Sequence, residues 1–562
     1  MMFLLQKCGL LPLAVSMVLG WTLLSPDTVP GADAEMEENS CTLWPVSSMR
    51  RVFPDSQPNS ANSACENDKT EPLQIVLAQA QNEYESFQLA FSSPRGSSEI
   101  LFELTDLVHD EHPESRISKA NIQWQQTGYV LTKRVKELNV EDGARPDWCP
   151  DPLLPVVKGT CPPGQTVSFW FTVYVPRASM PGTYHGTITV CPAGVPPQRV
   201  ALTVTVWDLE LPAQCRLPNA FALMDGFLEK VYQKKITPVF RKKWNEFLLQ
   251  FRIMPEGDIT RTEFPDLDTL SELQDKGLGL FNITNLATSR GDAPWTCYSP
   301  VEFYSQENKE LFLQQLSPYV AELRKRGQAE QAYVYAFDER GPEFQPAMTE
   351  FFGMIKENFP EVATFTTALL EQDAELFKKL NVDWFCPKTS HYNYDRAEEC
   401  RAKGHQVWAY ICCDPRFPYA NIMCRFPLID ARILGWQAWQ QKYDGLLYWA
   451  LNFWGHPSQQ PIDPNAGLNL NWSIETCLDH PIYGDGQLLY AGINEQPIAS
   501  IRLANLRDGF EDYDLLCLVA ERIGDRESVL QKMAPVFQSP TEFTRDPNVL
   551  KINRDKIAEL IK

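Results

Sequence analysis

The 562-residue sequence lacks the short motifs that mark several large classes of enzyme. Its seven histidines form no HExxH motif and no pair spaced i, i+4, and its cysteines include no close pair typical of a zinc site. It also has no G-x-S-x-G nucleophile elbow and no Walker phosphate loop, which argues against serine hydrolases and phosphoryl transfer. We therefore expect neither a metal nor a cofactor.

Basic residues are in short supply as well. Lysine and arginine number 51 against 72 acidic residues, so the formal charge is −21. A chain this acidic cannot neutralise a phosphate backbone, so a nucleic-acid binder is not indicated. The charge suits a neutral or weakly charged ligand. Separately, a chain of 562 residues is too long for one ordinary core, so two or three domains are expected.

Long apolar runs are missing except at the N-terminus. The run over residues 8–24 follows a single charge at Lys7 and precedes a small-x-small site at Ala32-Asp33-Ala34. Residues 1–34 are thus predicted to be a signal peptide, with an uncleaved anchor as the alternative. No membrane span is expected in the mature chain. The protein is expected to enter the secretory pathway and to be extracellular or lysosomal.

Export would also explain the cysteines and the sequons. Cleavage removes Cys8 and leaves 14 of the 15 cysteines, an even number that predicts several disulfides of unknown connectivity. The sequons at Asn282 and Asn471 predict a glycoprotein, although Asn282 lies in a predicted strand and its sequon is expected to be buried and unused.

The chain divides by its hydrophobic pattern into three regions. Residues 41–212 carry many short β-branched runs separated by turns, which predicts an all-β sandwich that ends at Pro212. Residues 213–470 alternate strands with amphipathic helices such as 309–326 and 344–358, which predicts a (β/α)8 barrel. An open doubly wound sheet is the second choice. Residues 471–562 are predicted to form a C-terminal domain packed on the barrel, with a loop or short hairpin at 483–492 and a helix at 501–522. The predicted barrel strands are 220–224, 252–255, 279–284, 332–337, 363–367, 382–387, 406–411 and 445–451.

The most informative stretch is the fourth predicted barrel strand, which is apolar and aromatic and ends in Asp338-Glu339. Barrel chemistry occurs at strand carboxyl ends, and glycosidic bond cleavage uses two carboxyl groups with different pKa values. The alternative is that both acids cap a helix beginning near Gly341. Strict strand alternation would also point Glu339 away from Asp338, so one shared site requires the strand to break here.

Aromatic residues at other strand ends are candidates for a sugar pocket. The run from Tyr448 to Trp454 includes Trp449, Asn452 and Trp454, and Tyr410 ends the preceding strand. Sugars present apolar faces and hydroxyl groups, so aromatic side chains with nearby polar groups suit them. Most aromatic residues of the chain must nevertheless belong to its core.

Three stretches together resemble glycoside hydrolase family 123 and its associated C-terminal domain. They are residues 335–339, residues 447–454, and residues 484–492 followed by 500–513. The resemblance covers most of the chain after Pro212, and Pro181-Gly182-Thr183-Tyr184 resembles the family's N-terminal domain.

The resemblance implies a retaining β-N-acetylgalactosaminidase that acts on terminal β-linked N-acetylgalactosamine of glycolipids or glycans. In substrate-assisted catalysis the 2-acetamido oxygen is the nucleophile and closes an oxazoline ring. Glu339 would be the general acid and base, and Asp338 would orient the acetamido N–H. Tyr392, Tyr410, Trp449, Asn452 and Trp454 would bind the sugar. Arg502, Arg507, Glu511 and Asp512 also match, but we interpret them as docking the C-terminal domain.

Two alternatives stay open. A β-N-acetylglucosaminidase or mixed hexosaminidase would use the same acid pair, since only the configuration at C4 differs. A non-catalytic glycan-binding protein could keep the fold. The sequence does not reveal the oligomeric state.

Overall fold

The computed structural model describes residues 41–58, 73–132, 147–287, 299–476 and 482–561. The predicted signal peptide and Cys8, Cys65, Cys297 and Cys477 lie outside these ranges.

The first part of the described chain is built almost entirely of strands. Alternating or wholly apolar β-branched and aromatic runs favour this local structure because they fit a half-buried pleated surface. Its strands are β1 Thr42–Ser47, β2 Leu73–Gln81, β3 Glu83–Ser92, β4 Ser97–Leu104, β5 Leu107–His109, β6 Arg116–Ile117, β7 Ile122–Thr132, β8 Asp147–Leu154, β9 Gly159–Cys161, β10 Thr166–Val175, β11 Gly182–Pro192 and β12 Gln198–Glu210.

These strands form two largely antiparallel sheets. One has the order β1-β3-β10-β7 with β8 beside β7, and the other has the order β2-β12-β11-β4-β9 with β5 and β6 attached to β11. Apolar side chains from both sheets, such as Phe91, Phe169 and Val204, share one buried core. The N-terminal region is therefore β-rich, with two sheets around one core, as sandwich packing requires.

After Pro212 short strands alternate with helices. The strands are β13 Asn219–Phe221, β14 Phe281–Asn285, β15 Ala332–Tyr335, β16 Ala363–Thr366, β17 Trp384–Phe385, β18 Gln406–Val407, β19 Ala409–Ile411 and β20 Leu446–Tyr448. The helices are α1 Asp225–Tyr232, α2 Pro238–Gln250, α3 Leu267–Gln274, α4 Gln306–Arg326, α5 Gln345–Asn358, α6 Ala374–Leu380, α7 Tyr394–Ala402 and α8 Ile429–Gln441.

All of these strands pair in parallel. One sheet has the order β14-β15-β16-β17-β18, and the other has the order β13-β20-β19. A single residue, Trp408, separates β18 from β19 and joins the two sheets through the chain. Parallel pairing places the carboxyl ends of the strands at one edge of each sheet, and a parallel bridge between Lys388 and Tyr410 brings these two edges together.

The predicted second barrel strand, residues 252–255, is wrong. Arg252 and Glu256 have φ of 60° and 65°, outside the extended region. The Asn219 side chain satisfies the backbone here instead, donating to the Arg252 carbonyl at 3.0 Å and accepting from the Met254 N–H at 2.8 Å. The other predicted barrel strands exist but are shorter than expected, and the closed eight-stranded barrel stays a prediction.

The chain beyond residue 468 is interleaved with the earlier regions. Its elements are β21 Asn469–Leu470, β22 Leu489–Ala491, β23 Pro497–Ala499, α9 Ile501–Ile523, α10 Arg526–Met533, β24 Phe537–Ser539, β25 Glu542–Phe543 and α11 Pro547–Ala558. Strand β21 pairs with β7, and β22 pairs with β23. The hairpin thus spans residues 489–499, and of the predicted 483–492 only the last part belongs to it, since the preceding residues form a loop.

Helix α9 connects both preceding regions through buried ion pairs. Arg502 contacts Asp151 of β8 at 2.7 Å, and Arg252 contacts Glu511 at 3.3 Å. Asp512 accepts from Arg432 of α8 at 2.7 Å and from Arg554 of α11 at 2.5 Å. Arg507 donates to Ser86 Oγ of β3 at 3.0 Å. These contacts agree with the structural interpretation of Arg502, Arg507, Glu511 and Asp512.

The expected disulfides do not occur among the described residues, where every cysteine is a free thiol. The Sγ atoms of Cys149 and Cys424 approach to 3.1 Å in the interior. The prediction for Asn282 holds: its side chain is fully buried and donates to the Asp258 carbonyl at 2.8 Å, so this sequon is inaccessible. Within the same residues, no helix is long and apolar enough to cross a bilayer.

Candidate active site

Strand β15 ends at Tyr335, two residues earlier than predicted, and Asp338 and Glu339 follow shortly after this end. Beyond Tyr335 the chain leaves the extended conformation, and both Phe337 and Glu339 have left-handed φ, 60° and 47°. Such a conformation costs a bulky residue about 1–2 kcal/mol. The break removes strand alternation, so Asp338 and Glu339 no longer point to opposite faces.

Aromatic packing stabilises this strained turn. The Phe337 ring stacks on Tyr304 with a centroid distance of 4.7 Å and meets Phe352 edge to face at 5.2 Å. Contacts of this kind contribute about 0.5–1.5 kcal/mol each beyond area burial. Neither acid caps a helix: the short 3-10 helix Pro342–Phe344 has Gly341 as its N-cap, helix α5 has Phe344, and neither cap makes a side-chain capping hydrogen bond. The helix-cap alternative is therefore wrong.

Asp338 is held by two hydroxyl groups. Its Oδ1 accepts from the Tyr335 hydroxyl and from Thr367 Oγ1 at 2.9 Å. The two hydroxyls also contact each other at 2.7 Å. Burial raises the pKa of Asp338, while the two donors act in the opposite direction by stabilising its charge. The result is a fixed, poorly hydrated carboxyl group.

Glu339 is more open, with 37% of its side chain exposed. Its backbone N–H donates to Thr367 Oγ1 at 3.2 Å, and its Oε1 accepts from the Tyr410 hydroxyl. Lys388 Nζ lies 3.9 Å from Oε1 and 3.6 Å from Asp414. The two neighbouring carboxyl groups thus have different surroundings, as an acid and an anion require.

Of the predicted sugar-binding residues, the structure brings Tyr410 directly to the acid pair. Tyr410 lies on β19, and burial together with the Glu339 charge raises its pKa, so the hydroxyl stays protonated and donates. Trp449 follows β20 at the same face and is half-buried. Its indole Nε1 donates to Asp485 at 3.0 Å, and its ring meets Phe453 at 5.0 Å.

Asn452 and Trp454 do not reach an open surface, contrary to their predicted role. Both are 0% exposed. The Asn452 amide binds the Met224 backbone with both of its polar atoms, at 2.8 and 2.9 Å. Trp454 donates to the Leu489 carbonyl at 3.0 Å and packs against Trp244 and Trp472. Both side chains stabilise the chain that follows β20, and neither has a polar atom or a ring face free to bind a sugar.

Tyr392 also lies elsewhere. Its hydroxyl donates to the Gln441 carbonyl at 3.0 Å at the end of helix α8, and its ring meets Tyr443 at 4.5 Å. None of its hydrogen bonds in the described chain reaches the acid pair. The structure therefore does not bring Tyr392 together with Asp338 and Glu339.

Sequence reasoning missed Tyr335, Thr367 and Lys388. Thr367 directly follows β16, and Lys388 lies three residues after the end of β17. Because barrel sites form at strand carboxyl ends, these positions could have marked both residues as site candidates. Tyr335 gave no such signal, because within the apolar run it was expected only to pack against helices. Among the described residues, no cluster of His, Cys, Asp or Glu could hold a metal ion.

Two family models match most of the chain. The glycoside hydrolase 123 catalytic domain matches residues 286–519, which contain the acid pair, Tyr410 and Trp449. The glycoside hydrolase 123 N-terminal domain matches residues 64–192. The chain belongs to glycoside hydrolase family 123. It is accordingly a glycoside hydrolase with a carbohydrate substrate.

One solved structure shares the fold of most of the chain. A family 123 glycoside hydrolase from Clostridium perfringens, described for the hydrolysis of glycolipid glycans, is 14% identical with a TM-score of 0.67. The match covers 93% of this chain and 98% of that one. A family 2 glycosyl hydrolase from Bacteroides cellulosilyticus is 11% identical over 72% of this chain and 46% of its own, with a TM-score of only 0.27. No curated relative matches the chain.

Proposed function

We propose that this family 123 member is a retaining exo-glycosidase that removes terminal β-linked N-acetylgalactosamine from glycolipids or glycans by substrate-assisted catalysis. The observation that carries the proposal is the pair of adjacent carboxyl groups in unlike surroundings, one anchored by two hydroxyls and one open to solvent. The Clostridium perfringens enzyme, described for glycolipid glycans, supports this substrate class.

In the first step Glu339 donates its proton to the glycosidic oxygen while the substrate's acetamido oxygen attacks C1. The C1–O bond to the leaving group breaks, and an oxazolinium ring forms. Asp338 accepts a hydrogen bond from the acetamido N–H and stabilises the positive charge. Because Asp338 is poorly hydrated and fixed by Tyr335 and Thr367, it needs no reorganisation to do so.

In the second step the ionised Glu339 takes a proton from water, and the water oxygen attacks C1. The ring opens, and the sugar leaves with its β-configuration retained. The Tyr410 hydroxyl on Glu339 positions this carboxylate in both steps. No second protein nucleophile is required.

The strand arrangement suits such a site. We infer that the parallel strands close into one (β/α)8-like barrel, in which the irregular segment 252–258 lies between β13 and β14 in place of a second strand. The Asn282 N–H of β14 donates to the Glu256 carbonyl at 3.0 Å, and Asn219 of β13 binds the same segment from its other side. We also propose that the enzyme acts in the secretory pathway, in lysosomes or outside the cell, because residues 8–24 resemble a signal sequence.

The test is release of nitrophenol from p-nitrophenyl β-N-acetylgalactosaminide and its gluco epimer by wild type, Glu339→Gln and Asp338→Asn. We expect wild type to prefer the galacto substrate, and Glu339→Gln to lower kcat by about 10²–10⁴-fold. A galacto-configured thiazoline, which mimics the oxazoline, should inhibit competitively.

Each alternative has its own outcome. Preference for the gluco epimer would overturn the proposed galacto specificity and leave the proposed mechanism unchanged. Turnover of a β-galactoside without the acetamido group at an equal rate would contradict substrate assistance. A folded wild type that binds sugar but turns over neither epimer would indicate a glycan-binding protein.

A further inference from the structure

A loop from the C-terminal part of the chain covers the end of strand β20. The Gly484-Asp485-Gly486 sequence has left-handed φ at both glycines, 82° and 68°. A Cβ on Gly486 would come within 2.4 Å of the Trp449 ring, and one on Gly484 would meet the Arg502 guanidinium at 3.0 Å. Both positions therefore require glycine, and together they present Asp485 beside Trp449.

Asp485 is a buried carboxyl group whose charge Arg502 stabilises only at a distance, since that guanidinium donates to the Gly484 carbonyl at 2.8 Å. It is 4% exposed, and within the described residues no lysine or arginine forms an ion pair with it. Its Oδ1 accepts from the Tyr448 hydroxyl at 3.1 Å and from Trp449 Nε1 at 3.0 Å. Oδ2 receives no side-chain hydrogen bond from the described part of the chain. Burial raises the pKa of Asp485 to about 6.

Such a group is costly for a fold unless it has a further partner. The loop does not need the charge for its own shape: the Gly486 N–H donates to the Tyr448 hydroxyl at 2.6 Å, and the Gly486 carbonyl accepts from the Phe453 N–H at 2.8 Å. An amide or a hydroxyl could accept the bonds from Tyr448 and Trp449 equally well. Arg502 and the Gly486 backbone partly offset the cost of the charge, but no side-chain hydrogen bond of the described residues explains the second oxygen.

Asp485 lies at the same face as the acid pair. Trp449, to which it binds, directly follows β20 of the three-stranded sheet, and Asp338 and Glu339 follow β15 of the five-stranded sheet. A parallel bridge between Lys388 and Tyr410 joins the two sheets at their carboxyl ends. Between them Tyr410 of β19, the neighbour of β20, reaches Glu339. The acid pair must act at C1 and C2 of the sugar. In a pyranose C4 lies opposite C1, so groups across this face meet the C4 and C6 hydroxyls.

We propose that Asp485 determines specificity in the terminal-sugar subsite, its Oδ2 accepting a hydrogen bond from the C4 or C6 hydroxyl while Trp449 covers the adjacent apolar face. This inference rests on the proposed function, since that function places C1 at the acid pair. Asp485 would bind the substrate and take no part in proton transfer.

The experiment compares wild type, Asp485→Asn and Tyr448→Phe on p-nitrophenyl β-N-acetylgalactosaminide and on its 4-deoxy and 6-deoxy analogues. Asp485→Asn should lower kcat/KM about 10- to 100-fold on the full substrate, the range for a hydrogen bond to a charged group. On the deoxy analogue that lacks the bound hydroxyl, the same substitution should change kcat/KM less than about threefold. Tyr448→Phe removes a donor to Oδ1 but leaves Oδ2, so it controls for a purely structural effect.

The inference would be overturned if Asp485→Asn lowered kcat/KM by the same factor on all three substrates. It would also be overturned if Tyr448→Phe changed the ratio of kcat/KM between the full and deoxy substrates as much as Asp485→Asn does. Thermal unfolding of each variant checks that it is folded. Dissociation constants for the same sugars, measured by calorimetry in a Glu339→Gln background, test the role of Asp485 in binding without hydrolysis. If wild type shows no turnover at all, the proposed function is contradicted, and these dissociation constants still decide the role of Asp485.

Discussion

At the scale of single residues, the site depends on a strained turn and two hydroxyl groups. Phe337 and Glu339 adopt left-handed backbone conformations, and their neighbours hold them there. Strain of this kind persists only where surrounding packing determines it, and it commonly occurs at functional sites. Here it keeps two consecutive carboxyl groups from pointing to opposite faces, as strand alternation would require.

Tyr335→Phe should displace the acidic limb of the pH–rate profile. Loss of the hydroxyl donor to Asp338 removes a bond that favours the ionised carboxylate, so the pKa of Asp338 should rise further and the limb should move to higher pH. We expect kcat to fall about tenfold at neutral pH.

Tyr333→Phe is the matched control for this substitution. Tyr333 lies on the same strand and is equally buried, but its hydroxyl has no hydrogen-bond partner among the described residues. Its removal should leave the profile unchanged. Similar profiles for both variants would show that Tyr335 acts only through packing.

The acid pair itself was predictable from sequence because two carboxylates at the end of a buried strand are uncommon. The sugar-binding candidates were less predictable, since Trp454 and Tyr410 are both aromatic residues near strand ends. What separates them is three-dimensional: Trp454 turns into the core between Trp244 and Trp472, whereas the Tyr410 hydroxyl reaches across to Glu339.

At the scale of elements, helix α9 combines apolar packing with an unusual amount of buried charge. Its buried charged residues are Arg502, Arg507, Asp508, Glu511, Asp512 and Asp514. Ion-pair partners lie on the sandwich, at Arg252, on α8 and on α11. The helix was predictable from its period, whereas its partners were not, because they lie on separate elements between 42 and 351 residues away in the chain.

Arg502→Met should destabilise the protein by about 3–5 kcal/mol, because Asp151 would stay buried without its cation. Arg522→Met on the same helix is the matched control. Arg522 pairs with Asp208 at the surface, where such a pair contributes less than about 1 kcal/mol. Urea unfolding followed by fluorescence measures both. Equal effects would mean that the buried ion pair has no special role.

The barrel strands show where pattern reading fails at this scale. Residues 252–255 look like a strand, but Arg252 turns into a left-handed conformation so that its guanidinium can donate to the Pro212 carbonyl and pair with Glu511 and Asp514. A long-range ionic contact thus overrides a local preference.

At the scale of the whole molecule, several buried carboxyl groups predict greater stability at mildly acidic pH. Burial raises the pKa of Asp514 to about 7 and that of Asp485 to about 6. Between pH 4 and 7 the folded protein therefore binds more protons than the unfolded chain, and its stability falls as pH rises through this window.

We expect the midpoint of thermal unfolding to fall by several degrees between pH 5 and pH 7.5. Asp514→Asn should flatten this dependence, because it removes the group with the raised pKa. Differential scanning calorimetry at matched ionic strength measures both proteins. A midpoint that rises from pH 5 to pH 7.5 would contradict the linkage.

The contact between the last helix and the first sheets bears on how the chain is made. Arg554 of α11 pairs with Glu83 of β3, and Arg432 of α8 pairs with Glu85 of the same strand. A ribosome delivers β3 several hundred residues before α11, so for much of synthesis Glu83 has no Arg554 to pair with. Burying its carboxylate without that cation is costly. We therefore expect the packing around β3 to be completed only when α11 docks, together with the rest of the fold that α8 and α11 support.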